Sequence, residues 1–534
     1  MHLSIAPADL VVIIVYLIGI VGIGCWAGMR RRRGAAGEGY FLAGKSLTWP
    51  IIGLALFSTN ISTIHLVSLA QEGYDNGLAY GNFEWMAAFT LIALSLFFAP
   101  FYIRSNVATL PDFLEKRYNR WCRDWLAIVS IVSAIFIHIG FSLYTGATVL
   151  RGLFGVDENI SIIVVALLTG LYTIIGGLLA VVLTESIQAV ILLIGAICIT
   201  AMAYAQIGGW SGLAQSVDPV MLTILRSAED PSHLPWYSVF LGYPVIGLWY
   251  WCADQTIVQR VLGAKDENHA RVGPLFAGFI KILPVFIFVL PGLLCLGLVN
   301  QGHFDSSPAT SADTYAFLIS HVLPVGLRGL VVAALLAALM STVSGALNST
   351  ATLFSYDIYK RWNPGISDRS LVVMGRWVTF FAMIAAIIWS RYIGRFESIF
   401  QGISAIICYI APPITAVFVW GIFWKRASSV AALITLWIGA ALGFTVFLLD
   451  WFKESTGWNI PFLMTTFYLF LICSAILFAV SLIAPHRHTA ESRALVWNNP
   501  MDALRGPAWR GIGNYKFLSC ALLITVIFLY IKFA

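Results

Sequence analysis

The chain reads as an all-α membrane protein with about fourteen transmembrane helices, built around a 5+5 inverted-repeat core with broken helices. Three observations carry this reading. Of its 534 residues, 59% are hydrophobic and 11% charged, against about 45–50% and about 25% in a soluble domain. Apolar stretches of spanning length, roughly 20 residues, recur along the whole chain. Two of these stretches are interrupted, and they lie an odd number of spans apart, so corresponding helices cross the membrane in opposite directions. A chain with so few polar residues cannot cover a soluble surface. That excludes a soluble enzyme, a disordered scaffold and a nucleic-acid binder.

The elements follow in order. The stretch 9–29 is long enough to span and is followed by arginines, so it is a retained helix and not a cleaved signal. The next, 47–71, runs through Phe57-Ser58-Thr59-Asn60-Ile61-Ser62-Thr63, a polar patch in mid-membrane. Spans 81–104 and 124–152 follow. Gly176-Gly177-Leu178 then turns the chain between spans 159–177 and 179–206. Span 239–255 carries Gly242, Pro244 and Gly247 ahead of Trp249-Tyr250-Trp251. The remaining spans are 273–300, 325–359, 370–391, 397–423, 429–450, 461–484 and 515–533. Backbone that leaves the helix at membrane depth is tolerated only where protein or a cavity satisfies it. The interruptions near Asn60 and Gly247 are therefore the expected site, although two ordinary kinked helices would leave the same local pattern. The chain divides as one transmembrane domain, 1–534: a peripheral helix at 9–29, a first repeat at 47–206, a second at 239–423, and peripheral C-terminal helices at 429–534.

Charge orients these spans. Arg30 to Arg33, Lys45, Arg104, Lys116, Arg117, Arg120, Arg123, Arg260, Lys265, Arg271, Lys360, Arg361, Lys425 and Arg426 fall at odd-numbered loops. Few basic residues fall at the even ones. Lys and Arg accumulate on the cytoplasmic side, so both termini are expected outside. The net charge of +6 is then a record of topology, not a nucleic-acid footprint. The eight cysteines show no metal spacing and read as small buried side chains. Short loops without a disulfide framework point to a bacterial inner membrane.

Polar groups inside spans cost roughly 2.5–3.5 kcal/mol for a central Asp, Lys or Arg, so each is a functional candidate. Asn60, His65, Glu84, His138, Glu185, Lys281 and Ser341-Thr342 make up the set. Glu84 and Lys281 either form a structural ion pair or line a cavity for a neutral, hydroxyl-rich ligand. Trp85, Trp249 and Trp251 suit the apolar face of a sugar. His65 is a ligand group or a packed histidine, and His138 reads as packed. Ser341 and Thr342 either back-bond to the preceding turn or face carbonyls freed near Asn60, where a dehydrated Na+ can sit. Glu185 either carries charge in ion coupling or pairs near the inner face.

Several longer stretches point to one family. They are Tyr40-Phe41-Leu42-Ala43-Gly44-Lys45-Ser46, Phe83-Glu84-Trp85, Gly176-Gly177-Leu178-Leu179-Ala180-Val181-Val182 and Trp249-Tyr250-Trp251-Cys252-Ala253-Asp254-Gln255 with Val258-Gln259-Arg260. Leu347-Asn348-Ser349-Thr350-Ala351-Thr352, Asp357-Ile358-Tyr359-Lys360, and Ala411-Pro412-Pro413 to Phe423-Trp424-Lys425-Arg426 complete the set. Over roughly 8–485 the chain resembles the sodium:solute symporter family, in its sodium/glucose cotransporter-like branch.

The resemblance implies a LeuT-type fold and Na+-driven uptake of a monosaccharide by alternating access, with no bond chemistry. It implies a Na+ site from the carbonyls of Ser58, Ile61 and Ala338 and the hydroxyls of Ser341 and Thr342. It implies a sugar site at Asn60, His65, Glu84, Tyr250, Trp251 and Lys281, with Tyr250 closing the inner side. Two positions depart from the branch. Gly247 replaces a polar side chain, and Ser404 replaces a glutamine, with Gln401 one turn away. Each lost hydrogen bond is worth roughly 1 kcal/mol, which leaves a sugar or a cyclic polyol. Glu185 stands for the family's usual Asp. Ser344 is present but Gly345 carries no hydroxyl, so one Na+ is expected. Other readings are symport of myo-inositol or another organic solute, or a sugar-gated sensor or channel. The partners implied are Na+, a small polar solute and the lipid bilayer.

Overall fold

The computed structural model describes residues 6–30, 37–230, 234–393, 399–485 and 488–534, with the side chains of 30, 37–38, 64, 152–153 and 399–405 left out. Within the described residues, every apolar segment marked above is helical. In chain order these are α1 (Pro7–Arg30), α2 (Trp49–Asn60), α3 (Thr63–Asn76), α4 (82–104), α5 (120–154), α6 (Glu158–Gln206), α7 (236–253), α8 (Gln255–Leu262), α9 (Glu267–Asn300), α10 (Leu327–Trp362), α11 (Asp368–Ile393), α12 (Ile399–Phe423), α13 (Ser429–Trp451), α14 (Phe462–Ile483) and α15 (Tyr515–Phe533). Among the described residues, eleven helices are long and apolar enough to cross a membrane, and the chain is a multi-pass membrane protein. That figure is below the fourteen segments for a geometric reason. The 49-residue α6 counts once, although it turns at Gly177, and the interrupted helices are not counted on their own.

The turn at Gly177 has φ 63° and ψ −161°, a conformation open to glycine and costly for other residues. A Cβ there would stand 2.6 Å from the Tyr40 carbonyl oxygen. Both backbone freedom and close approach therefore require this glycine.

The molecule is layered around α10. The most apolar window of α10 is 94% buried, whereas those of α1 and α15 are each 22% buried. The long α6 and the α2–α3 pair pack against α10, α9 packs against the α2–α3 pair, and α1 and α15 present apolar faces outward. The basic loops gather at one end of the bundle. There Arg104 Nε donates to Glu267 at 2.8 Å, Arg117 Nε to the Gly421 carbonyl at 2.6 Å, and Arg123 Nε to Asp357 at 2.7 Å. At the opposite end Asp9 caps α10 by accepting from the Gly326 and Gly329 amides at 2.7 Å, and the Ile224 amide donates to the Phe533 carbonyl at 2.7 Å. Three arginines read as loop charges are buried: Arg117 1%, Arg260 0% and Arg271 0% exposed. Each is held by backbone carbonyls or a carboxylate, which lets it leave water.

Candidate functional site

The first break lies at the predicted polar patch. α2 ends as Ile61 leaves the helical region at φ −78° and ψ 106°, and α3 restarts after Ser62. The Ser62 amide donates to His65 Nδ1 at 3.3 Å, and the Ser62 hydroxyl stands 3.0 Å from the same nitrogen. His65 thus caps α3 with one ring nitrogen while its ring borders the cavity described below.

The carbonyls released at the end of α2 face α10. Ser341 Oγ donates to the Ser58 carbonyl at 2.9 Å and to Ala338 at 3.0 Å. Thr342 Oγ1 donates to the Thr59 carbonyl at 3.3 Å and to Ala338 at 3.2 Å. Both alternatives weighed for these hydroxyls hold at once: they back-bond and they face the break. Ser58, Ala338, Ser341 and Thr342 come together as a buried oxygen cluster, with Ile61 buried beside it at the break. Thr59 supplies a carbonyl that sequence reasoning did not single out. Ser344 turns its hydroxyl back to the Ser341 carbonyl at 3.0 Å.

The second break differs in place from the expectation. The helix runs on through Gly242, Pro244 and Gly247, passes a π-turn at Trp249–Ala253, and stops at Asp254 with φ −86° and ψ 122°. The two glycines serve close packing. A Cβ on Gly242 would meet the Leu463 backbone, and one on Gly247 would stand 2.8 Å from both Thr90 and the Tyr243 ring. Asp254 makes the break because its carboxylate caps α8, accepting from the Thr256 amide at 2.6 Å. The freed Cys252 carbonyl accepts from the buried Tyr102 hydroxyl at 2.5 Å. Backbone released inside a membrane is satisfied by such neighbours.

A buried chain of polar groups joins the two breaks. Lys281 Nζ donates to Asn60 Oδ1 at 2.5 Å and to the Glu84 carboxylate. Asn60 Nδ2 donates to the Tyr250 hydroxyl at 3.2 Å. Glu84 and Lys281 are 2% and 1% exposed. Pro284 explains the aim of the lysine. It cannot donate a helical hydrogen bond, and the chain tightens into a turn at 281–283 that ends the first half of α9 at Lys281. The ammonium then stands 5.7 Å from the centroid of the Trp251 ring.

These residues surround a cavity of about 180 Å³ bordered by Asn60, His65, Glu84, Tyr250, Trp251 and Lys281. Thr59 and Thr342 of the oxygen cluster border it too. Of the three tryptophans, only Trp251 reaches it. Trp85 turns away to Tyr530 and Phe533, with its indole N–H donating to the Ile282 carbonyl at 3.2 Å. Trp249 is buried in the bundle. His138, read from the sequence as a packed histidine, borders the cavity with its Nε2 3.3 Å from Asp254. Sequence reasoning missed the aromatic wall of Phe83, Tyr243 and Phe462. A π-turn at Ala134–Ile139 carries His138, and such turns recur at functional sites. No sequence signal distinguishes the aromatic wall from ordinary core. Gln401 and Ser404 lie outside the residues whose side chains are described.

Glu185 resolves as a pair. It accepts from Arg260 Nε at 3.2 Å and from Nη2, and both side chains are fully buried. The guanidinium lies where a side chain on Gly345 would project.

A helical bundle with two interrupted helices meeting at one buried polar cavity defines a membrane transporter in which the breaks supply the ligand groups. A family model for the sodium:solute symporter family matches residues 40–439. The chain belongs to that family, whose members carry solutes and make no bonds. Sodium/glucose cotransporter 4 of Danio rerio is 35% identical over 477 residues, covering 84% of this chain and 72% of that protein. A sodium/mannose cotransporter of Bos taurus is 33% identical over 530 residues, covering 92% and 89%. A solved Na+-coupled sialic acid symporter has a TM-score of 0.80 at 21% identity, covering 91% of this chain and 100% of that one. This likeness establishes the fold.

Proposed function

We propose that this chain is a Na+-coupled symporter that imports a monosaccharide, glucose- or galactose-like, by alternating access. One observation carries the reading. At the first break, the Thr59 carbonyl accepts from Thr342 while the adjacent Asn60 side chain enters the polar cavity. The oxygen cluster proposed to hold the cation and the solute's hydrogen-bonding groups thus meet at consecutive residues of one break.

Na+ sits among the carbonyls of Ser58, Ile61 and Ala338 and the hydroxyls of Ser341 and Thr342. A hydroxyl that donates to a carbonyl can rotate and offer its lone pair to the cation instead. The sugar sits among Asn60, His65, Glu84, Trp251 and Lys281, above Tyr250. Na+ ties α2 to α10 and favours the state that receives sugar. Coupling follows because each ligand prefers particular states. A membrane potential adds about 2.3 kcal/mol per charge per 100 mV. One Na+ per cycle is expected, since Arg260 already neutralises Glu185 beside Gly345. The divisions 9–29, 47–206, 239–423 and 429–534 serve as peripheral helix, two repeats and peripheral helices. The basic loops face the cytoplasm and both termini face outward, in a bacterial inner membrane. Gly247 removes one polar group from the cavity wall, which favours a cyclic polyol such as myo-inositol as the second reading.

The test is Na+-dependent thermal stabilisation and uptake in Ser341→Ala/Thr342→Ala. The half-maximal Na+ concentration is expected to rise at least tenfold. An unchanged Na+ dependence rejects the site.

A further inference from the structure

We infer that His138 contacts the sugar: its Nδ1 accepts from one hydroxyl of the bound monosaccharide, and Asp254 holds the ring in the tautomer that allows this. The inference rests on the sugar-symport reading above and adds a group to it. A sugar hydroxyl both donates and accepts, so the cavity must offer acceptors as well as donors. The polar groups already placed there spend much of that capacity on one another. Lys281 only donates, and it does so to Asn60 and Glu84. Asn60 is engaged at both ends of its amide, by Lys281 and by Tyr250. His65 commits Nδ1 to the start of α3. Gly247 brings no side-chain polar atom.

α5 brings a further acceptor. The His138 ring borders the cavity, and its centroid stands 6.4 Å from that of Tyr250. Its Nε2 lies 3.3 Å from Asp254 Oδ2. An ionised carboxylate only accepts, so the ring proton sits on Nε2 and Nδ1 keeps its lone pair. Asp254 is itself fixed, because its Oδ1 accepts from the Thr256 amide at 2.6 Å where α8 begins. Asp254 acts through the ring and is a positioning residue.

Two features of α5 support a contact over simple packing. The π-turn at Ala134–Ile139 adds a residue to the helical turn that carries His138 and so resets the face it presents. Such insertions recur at functional sites. Ser142 follows one turn later on the same face and also borders the cavity. The side of α5 toward the cavity is therefore polar at two successive turns, within a helix that is otherwise apolar. A histidine kept only to fill space needs neither a fixed tautomer nor a polar neighbour on its face.

The test uses the full chain in proteoliposomes. It measures Ki for glucose and for a set of monodeoxyglucoses, each lacking one hydroxyl, against Na+-driven uptake of labelled glucose. His138→Gln keeps a donor where Nε2 stood and removes the acceptor. His138→Asn puts an amide oxygen where Nδ1 stood. In His138→Gln the Ki of glucose is expected to rise about tenfold, while one derivative, the one without the hydroxyl that meets Nδ1, stays within twofold. The wild type binds that derivative about tenfold more weakly than glucose, and His138→Asn keeps this preference. Asp254→Asn permits either tautomer and is expected to raise the Ki of glucose about threefold with the same derivative unmoved. Na+-induced thermal stabilisation reports that each variant is folded. An equal rise for every derivative in His138→Gln overturns the inference, as does no rise, and so does loss of the preference in a folded His138→Asn. Each of those results leaves Na+-driven uptake by the wild type, and with it the proposed function, standing. A wild-type chain without Na+-driven glucose uptake overturns the proposed function itself, and this inference with it.

Discussion

Lys281 is the residue on which the cavity turns. It holds Asn60 and Glu84 together, both deep inside the bundle. Lys281→Ala leaves the Glu84 carboxylate buried without its partner, a loss of about 3–5 kcal/mol for a buried pair. Adding Glu84→Gln to that variant should recover most of the loss. Thermal unfolding of the two singles and the double checks this, and additive losses would refute the pairing. Tyr250→Phe removes the acceptor of the Asn60 amide. Loss of this internal hydrogen bond predicts a stability lower by about 1 kcal/mol and, because Asn60 borders the cavity, weaker sugar binding, which unfolding and uptake KM measure separately. Asn60, Glu84 and Lys281 were legible in the sequence because a polar group in an apolar run must answer for its cost. His138 also stood out, but its position at the cavity did not, because a packed histidine and a cavity histidine carry the same local signal. Phe83, Tyr243 and Phe462 gave no signal, since an aromatic in an apolar helix looks like core wherever it points.

The interrupted helices show what helix breakers do and do not reveal. The polar run 57–63 marked its break correctly, because hydroxyl and amide side chains compete for backbone groups. Gly242, Pro244 and Gly247 drew attention to α7, yet the interruption falls at Asp254. Glycine there answers to the approach of Leu463, Thr90 and Tyr243, a demand set by tertiary packing that a single sequence does not display. A capping aspartate in the middle of a polar motif was the better sign of a helix start. Pro284 is a breaker with a consequence for the site, since its missing N–H frees the turn that carries Lys281. Pro284→Ala should let α9 straighten and move the ammonium out of register with Glu84 and Asn60. The expected outcome is a loss of sugar binding of about tenfold with a thermal midpoint equal to or above that of the wild type, because removing an interior proline favours the helix. Binding unchanged in that variant would mean that the turn does not position the lysine.

For the whole molecule, composition established a membrane protein and charge ordered its loops. Most of the charges counted as loop residues do cluster at one end of the bundle. Arg260 is the instructive exception. Its place in a polar stretch after Trp251 read as a loop, but α8 folds back into the bundle and buries it against Glu185. Return of a half-helix into the interior is a property of the assembled bundle, beyond what charge spacing along one chain can report. The assembled bundle sets Asn60 of the sugar cavity next to Thr59 of the oxygen cluster at one break, and this contiguity is the physical basis proposed for coupling. The most direct test is accumulation of labelled glucose in proteoliposomes under an inward Na+ gradient. The account predicts a transient internal concentration above the external one, abolished by a Na+ ionophore or by replacing Na+ with choline. Uptake that proceeds equally in choline, or that only equilibrates glucose while the Na+ gradient persists, would contradict it.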